Sequence, residues 1–569
     1  PAAVGLQTLG LDRVAMCPSS ADSLRQLLQA TADVTSVVYL WGLDQAAEPL
    51  RYADAVCASA LHLLQWMAPS ARLWLVSQGG QAVRHDAELQ SPQHALLWGL
   101  GQTAAAERPE LACVCLDLQA GADISRSTHD VLAAMALPIV ERRLAVRSGQ
   151  VHVARLKPSP DVATDQARAA HGLLSPHGSY LITGASGALA RELALWLADQ
   201  GVRHLALVSR SPVAQGFLDE LSDLGVQAHS HPADVTDRDA LAVVLNQIRA
   251  KQVPLHGVFH LAGQLDNGVL DGLSADRFAQ ALAAKAQGAW HLHNLTCDQP
   301  LPLFVMFSSV ASLLDEGGQA SYASANAYLD ALAHHRRSLG LSALSLNWGP
   351  WARVGMAAQL GQAQQARLEG LGLGSLDSSA ALAAMGDLLD GHAGAQVGVL
   401  TVDWARYGPQ RPSCLIESLL PSPVQTPSVA ALRQQIEQAL PAARRPLLSG
   451  HLVALVTQVL RLQPGEVSPR QRLFDLGVDS LLAVELKNRL QAMLGVTLSA
   501  TLLFDYPSIE ALCEHLLAQL APGVPGHGAV RAAADPLSVD LDVDVAELSE
   551  EAAESLLLAQ LEKLEGRPS

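Results

Sequence analysis

Clustered basic residues, long apolar runs and paired cysteines are all missing from this sequence. Its 38 Lys and Arg residues are outnumbered by 55 Asp and Glu residues. The resulting net charge of −17 argues against nucleic acid as the main partner, because phosphate binding needs a basic patch. No apolar run reaches the ~18 residues that span a bilayer, and no basic segment precedes an apolar core near residue 1. Neither a membrane span nor a secretory leader is therefore predicted.

The cysteines are too few and too scattered for a disulfide framework. There are seven, an odd number, and the one close pair, Cys113 and Cys115, has the spacing of residues on one face of a strand. No CxxC pair is present, so no metal site is expected. Reduced, buried thiols in a cytoplasmic protein are predicted.

Alternating strands and helices occur twice along the 569 residues, which predicts an α/β protein with two Rossmann-like, doubly wound lobes. The predicted strands are 37–43, 73–77 and 111–118 in the first lobe, and 180–183, 205–209, 257–261, 303–307 and 344–348 in the second.

The two lobes resemble each other. SVVYLWG is similar to HGVFHLAG, and LWLVSQGG is similar to FVMFSSVA. In this alignment Tyr322 falls opposite Leu96, and Ser309 falls near Gln78 or Gly79. The first lobe has no glycine-rich turn, so its predicted role is structural. Its pattern begins after a first strand–helix unit, which indicates a piece of a larger polypeptide.

The region after the second lobe changes in composition. A proline-rich linker is followed by purely helical patterns at 447–460, 481–493 and 509–520, which predict a small helical bundle. Leucines at helical spacing then predict an amphipathic C-terminal helix, which is too short to be stable alone; a disordered tail is the alternative. The predicted divisions are 1–160 (structural lobe), 161–410 (catalytic lobe), 411–442 (linker), 443–522 (helical domain), 523–545 (second linker) and 546–569 (C-terminal helix).

Residues 183–190, TGASGALA, follow a predicted strand and open a predicted helix. Glycines there allow the backbone to approach a pyrophosphate at the helix N-terminus, although a plain turn is the alternative. The next strand ends in Ser209 and Arg210 with no acidic residue, and an arginine suits the 2′-phosphate of NADPH. The predicted cofactor-binding residues are Thr183, Gly184, Ser186, Gly187, Leu189, Ser209, Arg210, Asp234, Val235, Ala262 and Gly263.

Residues 304–330 contain a second polar constellation. An apolar strand ends at Ser309, and Tyr322, Asn326 and Asp330 recur every four residues, on one face of a helix. A hydroxyl at a strand end and a phenol on the next helix can converge on one small polar group. A phenol has a pKa near ~10, so proton donation near neutrality requires a nearby cation. A core tyrosine and a helix-capping serine are the alternative.

In this order, TGASGALA, ADVTD, HLAG, FSSVAS and YASAN resemble the ketoreductase domain of a modular type I polyketide synthase, a variant of the short-chain dehydrogenase/reductase family. The resemblance extends from residue 1 to about 410. It implies NADPH-dependent reduction of a carrier-bound β-ketoacyl thioester to a β-hydroxyacyl thioester. It also implies that Lys285, in AAKAQGAWHLH, completes a catalytic set with Ser309, Tyr322 and Asn326, where Asn326 orients Lys285 or a water.

The resemblance carries an electrostatic expectation for the catalytic set. A unit charge about 4 Å from the phenol contributes ~4 kcal/mol at an effective dielectric constant of ~20. Lys285 is therefore expected to bring the pKa of Tyr322 down towards neutrality. Two signatures in the family mark which face of the ketone is reduced, and this chain departs from both. The LDD signature of one class reads Leu265, Asp266, Asn267 here, and the position of the tryptophan that marks the opposite class is occupied by Leu314. The absent tryptophan favours the LDD class.

Residues 473–489, LFDLGVDSLLAVELKNR, resemble the core of an acyl carrier protein. The resemblance implies a small four-helix carrier domain in which Ser480 carries 4′-phosphopantetheine, while Asp479 and Glu485 attract basic partner enzymes. A serine that only caps its helix is the alternative.

The combined resemblance implies one component of a dimeric synthase module. The implied partners are the acyl chain tethered to the carrier, a phosphopantetheinyl transferase, upstream ketosynthase and acyltransferase domains, and a downstream polypeptide bound through the C-terminal tail. A scaffold with an inactive reductase and a free-standing dehydrogenase are the alternatives. The complete polar set argues against the first, and the fused carrier argues against the second.

Overall fold

The computed structural model describes most of the chain. These residues form two compact units, one within residues 1–422 and one within 423–569. The described residues are 7–10, 13–15, 21–30, 34–44, 46, 48–69, 71–137, 140–159, 173–251, 253–299, 301–355, 362–389, 394–420, 436, 441–460, 467–476, 478, 480–494, 496, 498–499 and 502–520.

The structural lobe is built around a five-stranded sheet of order β3-β4-β5-β6-β7. Strands β3 to β6 are parallel, and β7 forms an antiparallel hairpin with β6. The strands are β1 (Gln7–Gly10), β2 (Arg13–Ala15), β3 (Ser36–Tyr39), β4 (Arg72–Gln78), β5 (Val114–Leu118), β6 (Arg143–Arg147) and β7 (Gln150–Val153). The helices are α1 (Ala21–Ala30), α2 (Pro49–Tyr52), α3 (Ala58–Trp66), α4 (Ala95–Glu107) and α5 (Ile124–Met135).

The catalytic lobe contains a seven-stranded, fully parallel sheet of order β10-β9-β8-β11-β12-β13-β15. The strand order reverses between β8 and β11, and ligands of such sheets bind at the carboxyl ends of the strands at that point. The strands are β8 (Ser179–Thr183), β9 (His204–Ser209), β10 (Gln227–Pro232), β11 (Leu255–His260), β12 (Leu303–Ser309), β13 (Leu344–Trp348), β14 (Leu373–Gly374), β15 (Gln396–Val399) and β16 (Thr401–Val402). The helices are α6 (Ala188–Asp199), α7 (Gln215–Asp223), α8 (Arg238–Arg249), α9 (Ala275–Leu282), α10 (Gly288–Thr296), α11 (Ala320–Ser338), α12 (Gln362–Leu371), α13 (Ser378–Leu389) and α14 (Trp404–Gln410).

The two lobes meet through helices that occupy equivalent places in them. Helix α4 follows β4, α11 follows β12, and the two helices pack directly against each other. A Cβ atom on Gly99 would lie 2.4 Å from the Cα of Ser324, so only glycine permits this approach. Leu96 and Tyr328, both fully buried, belong to the same apolar core. The structural lobe therefore supports the helix that carries Tyr322.

Two predicted strands are shorter than expected, because a turn of the backbone ends one of them early and delays the start of the other. The predicted strand 37–43 ends at Tyr39, where a 3₁₀ turn brings Gly42 close to the Val76 carbonyl. The predicted strand 111–118 begins at Val114, since Ala112 adopts a left-handed conformation with φ of 39°. The thiols also differ from expectation: Cys297 is exposed rather than buried.

The second unit is a helical bundle with its own apolar core, as the sequence predicts. One face of α16 presents Ala483, Leu486, Leu490 and Leu494 to that core. The helices are α15 (Pro441–Leu460), α16 (Ser480–Leu494), α17 (Leu502–Asp505) and α18 (Ile509–Leu520). Within the parts of the chain that the structure describes, no helix is long and apolar enough to cross a membrane. The predicted C-terminal helix, 546–569, lies outside those parts.

Candidate active site

The glycine-rich turn lies at the topological switch point, between β8 and α6. Gly184 has φ of +68°, and a Cβ atom there would lie 2.9 Å from the backbone nitrogen of Ala262. Ser186 and Gly187 are exposed, and Gly187 is the N-cap of α6, whose first turn has no acidic residue. An exposed backbone at the N-terminus of a 12-residue helix fits the pyrophosphate of a dinucleotide.

Thr183 is placed differently from the other predicted cofactor residues. It is fully buried, and its hydroxyl is 2.8 Å from Nδ1 of His260 and accepts hydrogen bonds from the backbone N–H groups of Leu261 and Ala262. Burial lowers the pKa of His260 to about 4, so this ring is neutral near pH 7. Thr183 thus ties β8 to the end of β11 and holds Ala262 in place.

The remaining predicted cofactor residues line the same edge of the sheet. The Ser209 hydroxyl donates to the Ser211 carbonyl at 2.8 Å, and the exposed Arg210 guanidinium lies 3.0 and 3.2 Å from the side-chain amide group of Gln264. Asp234 accepts hydrogen bonds from the backbone and hydroxyl of Thr236. Leu189 is half-buried, as are Ala262 and Gly263, and Val235 is buried.

Lys285 lies in a π-helical turn, Ala283–Gln287, which joins α9 to α10. Such turns are frequent at functional sites because the extra residue redirects a side chain. The Lys285 ammonium donates to the Phe307 carbonyl at 2.7 Å and to Oδ1 of Asn326 at 2.6 Å. Its methylene groups run over Gly263, where a Cβ atom would lie 2.8 Å from Cε. The turn therefore aims a buried lysine at α11 and β12.

Tyr322 and Asn326 lie beside that ammonium, and the Ser309 side chain lies beside the Tyr322 phenol. The ring centroid of Tyr322 is 5.1 Å from Nζ of Lys285, and the side chains of Ser309 and Asn326 are near enough to the phenol to oppose the rise in its pKa that burial causes. Asn326 is fully buried and donates from Nδ2 to the Tyr322 carbonyl at 2.8 Å. Asn326 contacts Lys285 directly, which is one of the two arrangements expected for it. The structure thus brings all four predicted catalytic residues together.

A buried carboxylate, that of Asp330, acts on Lys285 through its charge. Asp330 accepts hydrogen bonds from the Ser312 hydroxyl at 2.6 Å, the Ser345 hydroxyl at 2.6 Å and Nδ2 of Asn347 at 2.8 Å. Burial lowers the pKa of Lys285 to about 7, and the charge of Asp330 opposes that shift. The four-residue spacing predicts that Asp330 shares a helix face with Tyr322 and Asn326, but it does not predict the partners of Asp330 on β13, Ser345 and Asn347.

The expected low pKa of Tyr322 is not found. Burial raises the pKa of this phenol, and its hydrogen bonds with Ser309 and Asn326 offset the shift only in part. The reason is geometric: the Lys285 ammonium donates to Phe307 and Asn326. Tyr322 is consequently protonated near neutrality, in the form that can donate a proton.

The helical unit places the predicted attachment residue at the start of a helix. Ser480 is the first residue of α16, and the preceding loop is held by a hydrogen bond from Val478 to Leu473. Leu473 in turn donates to the Pro507 carbonyl at 2.8 Å. A phosphodiester at this position would lie at a helix N-terminus, where an anion is favoured.

Comparison with known families gives three matches along the chain. Residues 2–156 match the Rossmann fold domain of the polyketide synthase extender module SpnB, residues 178–353 match the KR domain, and residues 451–516 match the phosphopantetheine attachment site. Together these matches imply a nicotinamide cofactor and an attached 4′-phosphopantetheine.

Individual relatives agree with the family matches. The chain is 37% identical over 516 residues to polyketide synthase GfsA of Streptomyces halstedii, covering 86% of this chain and 7% of that protein. It is 36% identical over 500 residues to the pikromycin polyketide synthase component PikAIII of Streptomyces venezuelae, covering 83% of this chain and 31% of that protein. The chain therefore spans less than a third of the length of either relative.

Solved structures extend the similarity to the fold. The structure of an A1-type ketoreductase is 34% identical with a TM-score of 0.62, covering 70% of this chain and 85% of that chain. The first ketoreductase of the tylosin synthase is 33% identical with a TM-score of 0.60, covering 71% of this chain and 87% of that chain. The fold class and the resemblance predicted from the sequence are confirmed: this chain belongs to the modular polyketide synthases and carries a ketoreductase domain followed by a phosphopantetheine carrier domain.

Proposed function

We propose that this chain uses NADPH to reduce the β-ketone of an acyl chain tethered to Ser480 of its carrier domain. The observation that carries the proposal is the convergence of Lys285, Ser309, Tyr322 and Asn326 beside the exposed turn at Gly184. Burying an ammonium group costs free energy, so a buried lysine that is hydrogen-bonded to two groups is more typical of an active site than of an inactive scaffold.

The side chains divide the proton chemistry among themselves. When bound, the reduced nicotinamide supplies a hydride to the carbonyl carbon. Ser309 and Tyr322 donate hydrogen bonds to the carbonyl oxygen, and the Tyr322 phenol transfers its proton to that oxygen as negative charge develops there. The Lys285 ammonium stabilises the phenolate left behind, and Asn326 holds Lys285 in position. The products are a β-hydroxyacyl thioester and the oxidised cofactor.

Mass spectrometry of the loaded carrier tests the proposal. The phosphopantetheinylated chain would be loaded with a β-ketoacyl group and incubated with NADPH, with NADH or with no nucleotide. We expect the tethered acyl group to gain two hydrogen atoms with NADPH. An unchanged acyl group in all three reactions would indicate a carrier scaffold with an inactive reductase.

Arg210 provides the first prediction, on cofactor choice. Arg210→Ala should raise the Kd of NADPH by roughly tenfold or more, because a hydrogen-bonded phosphate–guanidinium contact contributes ~1.5–3 kcal/mol, while the Kd of NADH stays nearly constant. Both constants can be measured by the fluorescence of the reduced nicotinamide. Arg249→Ala, at the far end of α8, is the matched control. An equal loss for both nucleotides would remove Arg210 from the 2′-phosphate site.

Asp330 provides the second prediction, on pH dependence. The negative charge of Asp330 raises the pKa of Lys285, so Asp330→Asn should lower it and deprotonate the lysine at a lower pH. The alkaline limb of the kcat profile should then move to lower pH. Asp223→Asn, at an exposed position, is the control. Expressing kcat per active site makes the pH profile insensitive to a fraction of unfolded protein. A limb that stays in place or moves upward would contradict the coupling.

The wider partners follow from the family and are part of the proposal. The chain would receive its acyl group from upstream ketosynthase and acyltransferase domains, obtain its arm from a phosphopantetheinyl transferase, and work within a dimeric synthase. The acidic, leucine-containing segment 536–569 would bind a basic or amphipathic helix of the next polypeptide, where charge selects the partner and apolar burial holds it.

A further inference from the structure

Glu107, the last residue of α4 in the structural lobe, reaches into the catalytic lobe. One of its carboxylate oxygens accepts a hydrogen bond from the backbone N–H of Gly318 at 2.5 Å, and the other accepts one from Leu270 at 2.7 Å. Its side chain also lies against Gly317, where a Cβ atom would be 3.0 Å from Cγ of Glu107. A single carboxylate thus joins two segments that are far apart in the sequence.

Both segments border the active site. The first, residues 261–270, leaves the carboxyl end of β11 and passes Lys285 at Gly263. The second, residues 317–319, leads directly into α11, which carries Tyr322. They also contact each other, because Gly268 donates to the Gly318 carbonyl at 3.0 Å. Together they form a wall, the 261–270/317–319 wall, at the edge of the sheet where ligands bind.

The wall has no regular secondary structure of its own along residues 261–267, so its shape depends on such ties. Arg277 holds Asp266 through two hydrogen bonds, and Ser321 donates to the Asp266 carbonyl at 3.3 Å. From the structural lobe, Gln65 donates to the Leu270 and Leu273 carbonyls at 2.6 and 2.9 Å. Glu107 differs from Gln65 in that it contacts both halves of the wall.

We propose that Glu107 is a positioning residue that sets the wall against the acyl substrate and so controls which face of the ketone meets the hydride donor. The inference rests on the proposed reductase function. It gives the structural lobe a part in substrate selection in addition to its support of α11. A carboxylate suits this task because it offers acceptors on two oxygens, and both N–H groups would otherwise lose their partners.

Glu107→Gln tests the proposal with little change of shape. A glutamine has one carbonyl oxygen, so its NH₂ group must face one of the two backbone N–H groups. We expect the KM of a free β-ketoacyl thioester to rise about tenfold and the ratio of the two hydroxyl configurations to move towards equality, since a charged hydrogen bond of this kind is lost. The Kd of NADPH should stay within about twofold, since Glu107 contacts this segment at Leu270, well beyond the predicted cofactor contacts Ala262 and Gly263. Glu107→Asp keeps both acceptor oxygens on a shorter side chain, so its KM and its product ratio should lie between those of the wild type and of Glu107→Gln.

The exposed Glu110→Gln, which removes the same charge three residues away, should behave as the wild type in both measurements. A Glu107→Gln enzyme with wild-type KM and product ratio would overturn the proposal. The proposal would also be overturned if the rise in KM were accompanied by comparable losses of NADPH affinity and of thermal stability, because Glu107 would then have a merely structural role.

Amide hydrogen exchange tests the same contacts without any turnover. Exchange of the Leu270 and Gly318 amides should accelerate about tenfold or more in Glu107→Gln and not in Glu110→Gln. Unchanged exchange would overturn the positioning role even in a chain that reduces ketones. A wild-type chain that shows no reduction, with accelerated exchange in the variant, would instead indicate that the proposed function fails while the anchoring contact stands.

Discussion

Replacing Tyr322 by phenylalanine is expected to lower ketone reduction by ~10²–10⁴-fold, because the ring remains while the proton donor is lost. The surrounding contacts predict that little else changes: Asn326 still donates to the residue 322 carbonyl, and Lys285 still donates to Phe307 and Asn326. The Kd of NADPH should therefore be unaltered. Single-turnover reduction of a free β-ketoacyl thioester, followed by nicotinamide absorbance, measures the effect.

Tyr328→Phe is the matched control on the same helix. Tyr328 is fully buried, and its hydroxyl has no hydrogen-bond partner among the residues that the structure describes. Removing a buried hydroxyl of this kind should leave activity unchanged and stability equal or slightly higher. If Tyr322→Phe reduces the substrate at the control rate, the proton comes from another group and the site is misassigned.

The pKa values around Tyr322 explain why a lysine is needed at all. Burial raises the pKa of the phenol and lowers that of Lys285 to about 7, so both groups are neutral or nearly so in a dry site above that pH. A buried phenol gives up its proton reluctantly, because the phenolate that forms is poorly hydrated. The Asp330 charge counteracts the loss of the lysine proton, which would keep a cation available for the phenolate of the proposed reaction. The acid strength of Tyr322 thus depends on a residue two helical turns away.

Much of the catalytic lobe could be predicted from the sequence because its signals are local. Buried parallel strands are nearly continuous apolar runs, and β13 was predicted with the observed bounds, Leu344–Trp348. The turn at Gly184 is recognisable because its positive φ requires glycine. The four-residue spacing of Tyr322 and Asn326 is enough to place both residues on one face of a helix.

The features that could not be predicted depend on contacts between distant residues. Glu107 is 163 residues from Leu270 and 211 from Gly318, and nothing near it in sequence distinguishes it from Glu110. The π-helical turn at Lys285 has no local sequence signal. The motif predicts a cofactor role for Thr183 because this residue begins it, and the burial of Thr183 against His260 can be seen only in the folded sheet.

Ser480→Ala is expected to abolish phosphopantetheinylation altogether, because in the proposed attachment the Ser480 hydroxyl attacks the pyrophosphate of coenzyme A and an alanine has no group that can form the phosphodiester. Coexpression with a phosphopantetheinyl transferase should add one phosphopantetheine mass to the wild-type chain and none to the variant. Ser468→Ala, an exposed serine in the loop that leads to α16, is the matched control and should be labelled fully.

The same variant separates the two domains of the chain. Ser480→Ala cannot hold a tethered acyl group, so reduction in cis should disappear, while the reductase residues in the other compact unit are untouched. Reduction of a free β-ketoacyl thioester by Ser480→Ala should therefore proceed at the wild-type rate. Label that persists in the variant would place the arm on another residue, and a matching loss of free-substrate reduction would mean that the carrier domain contributes to the active site itself.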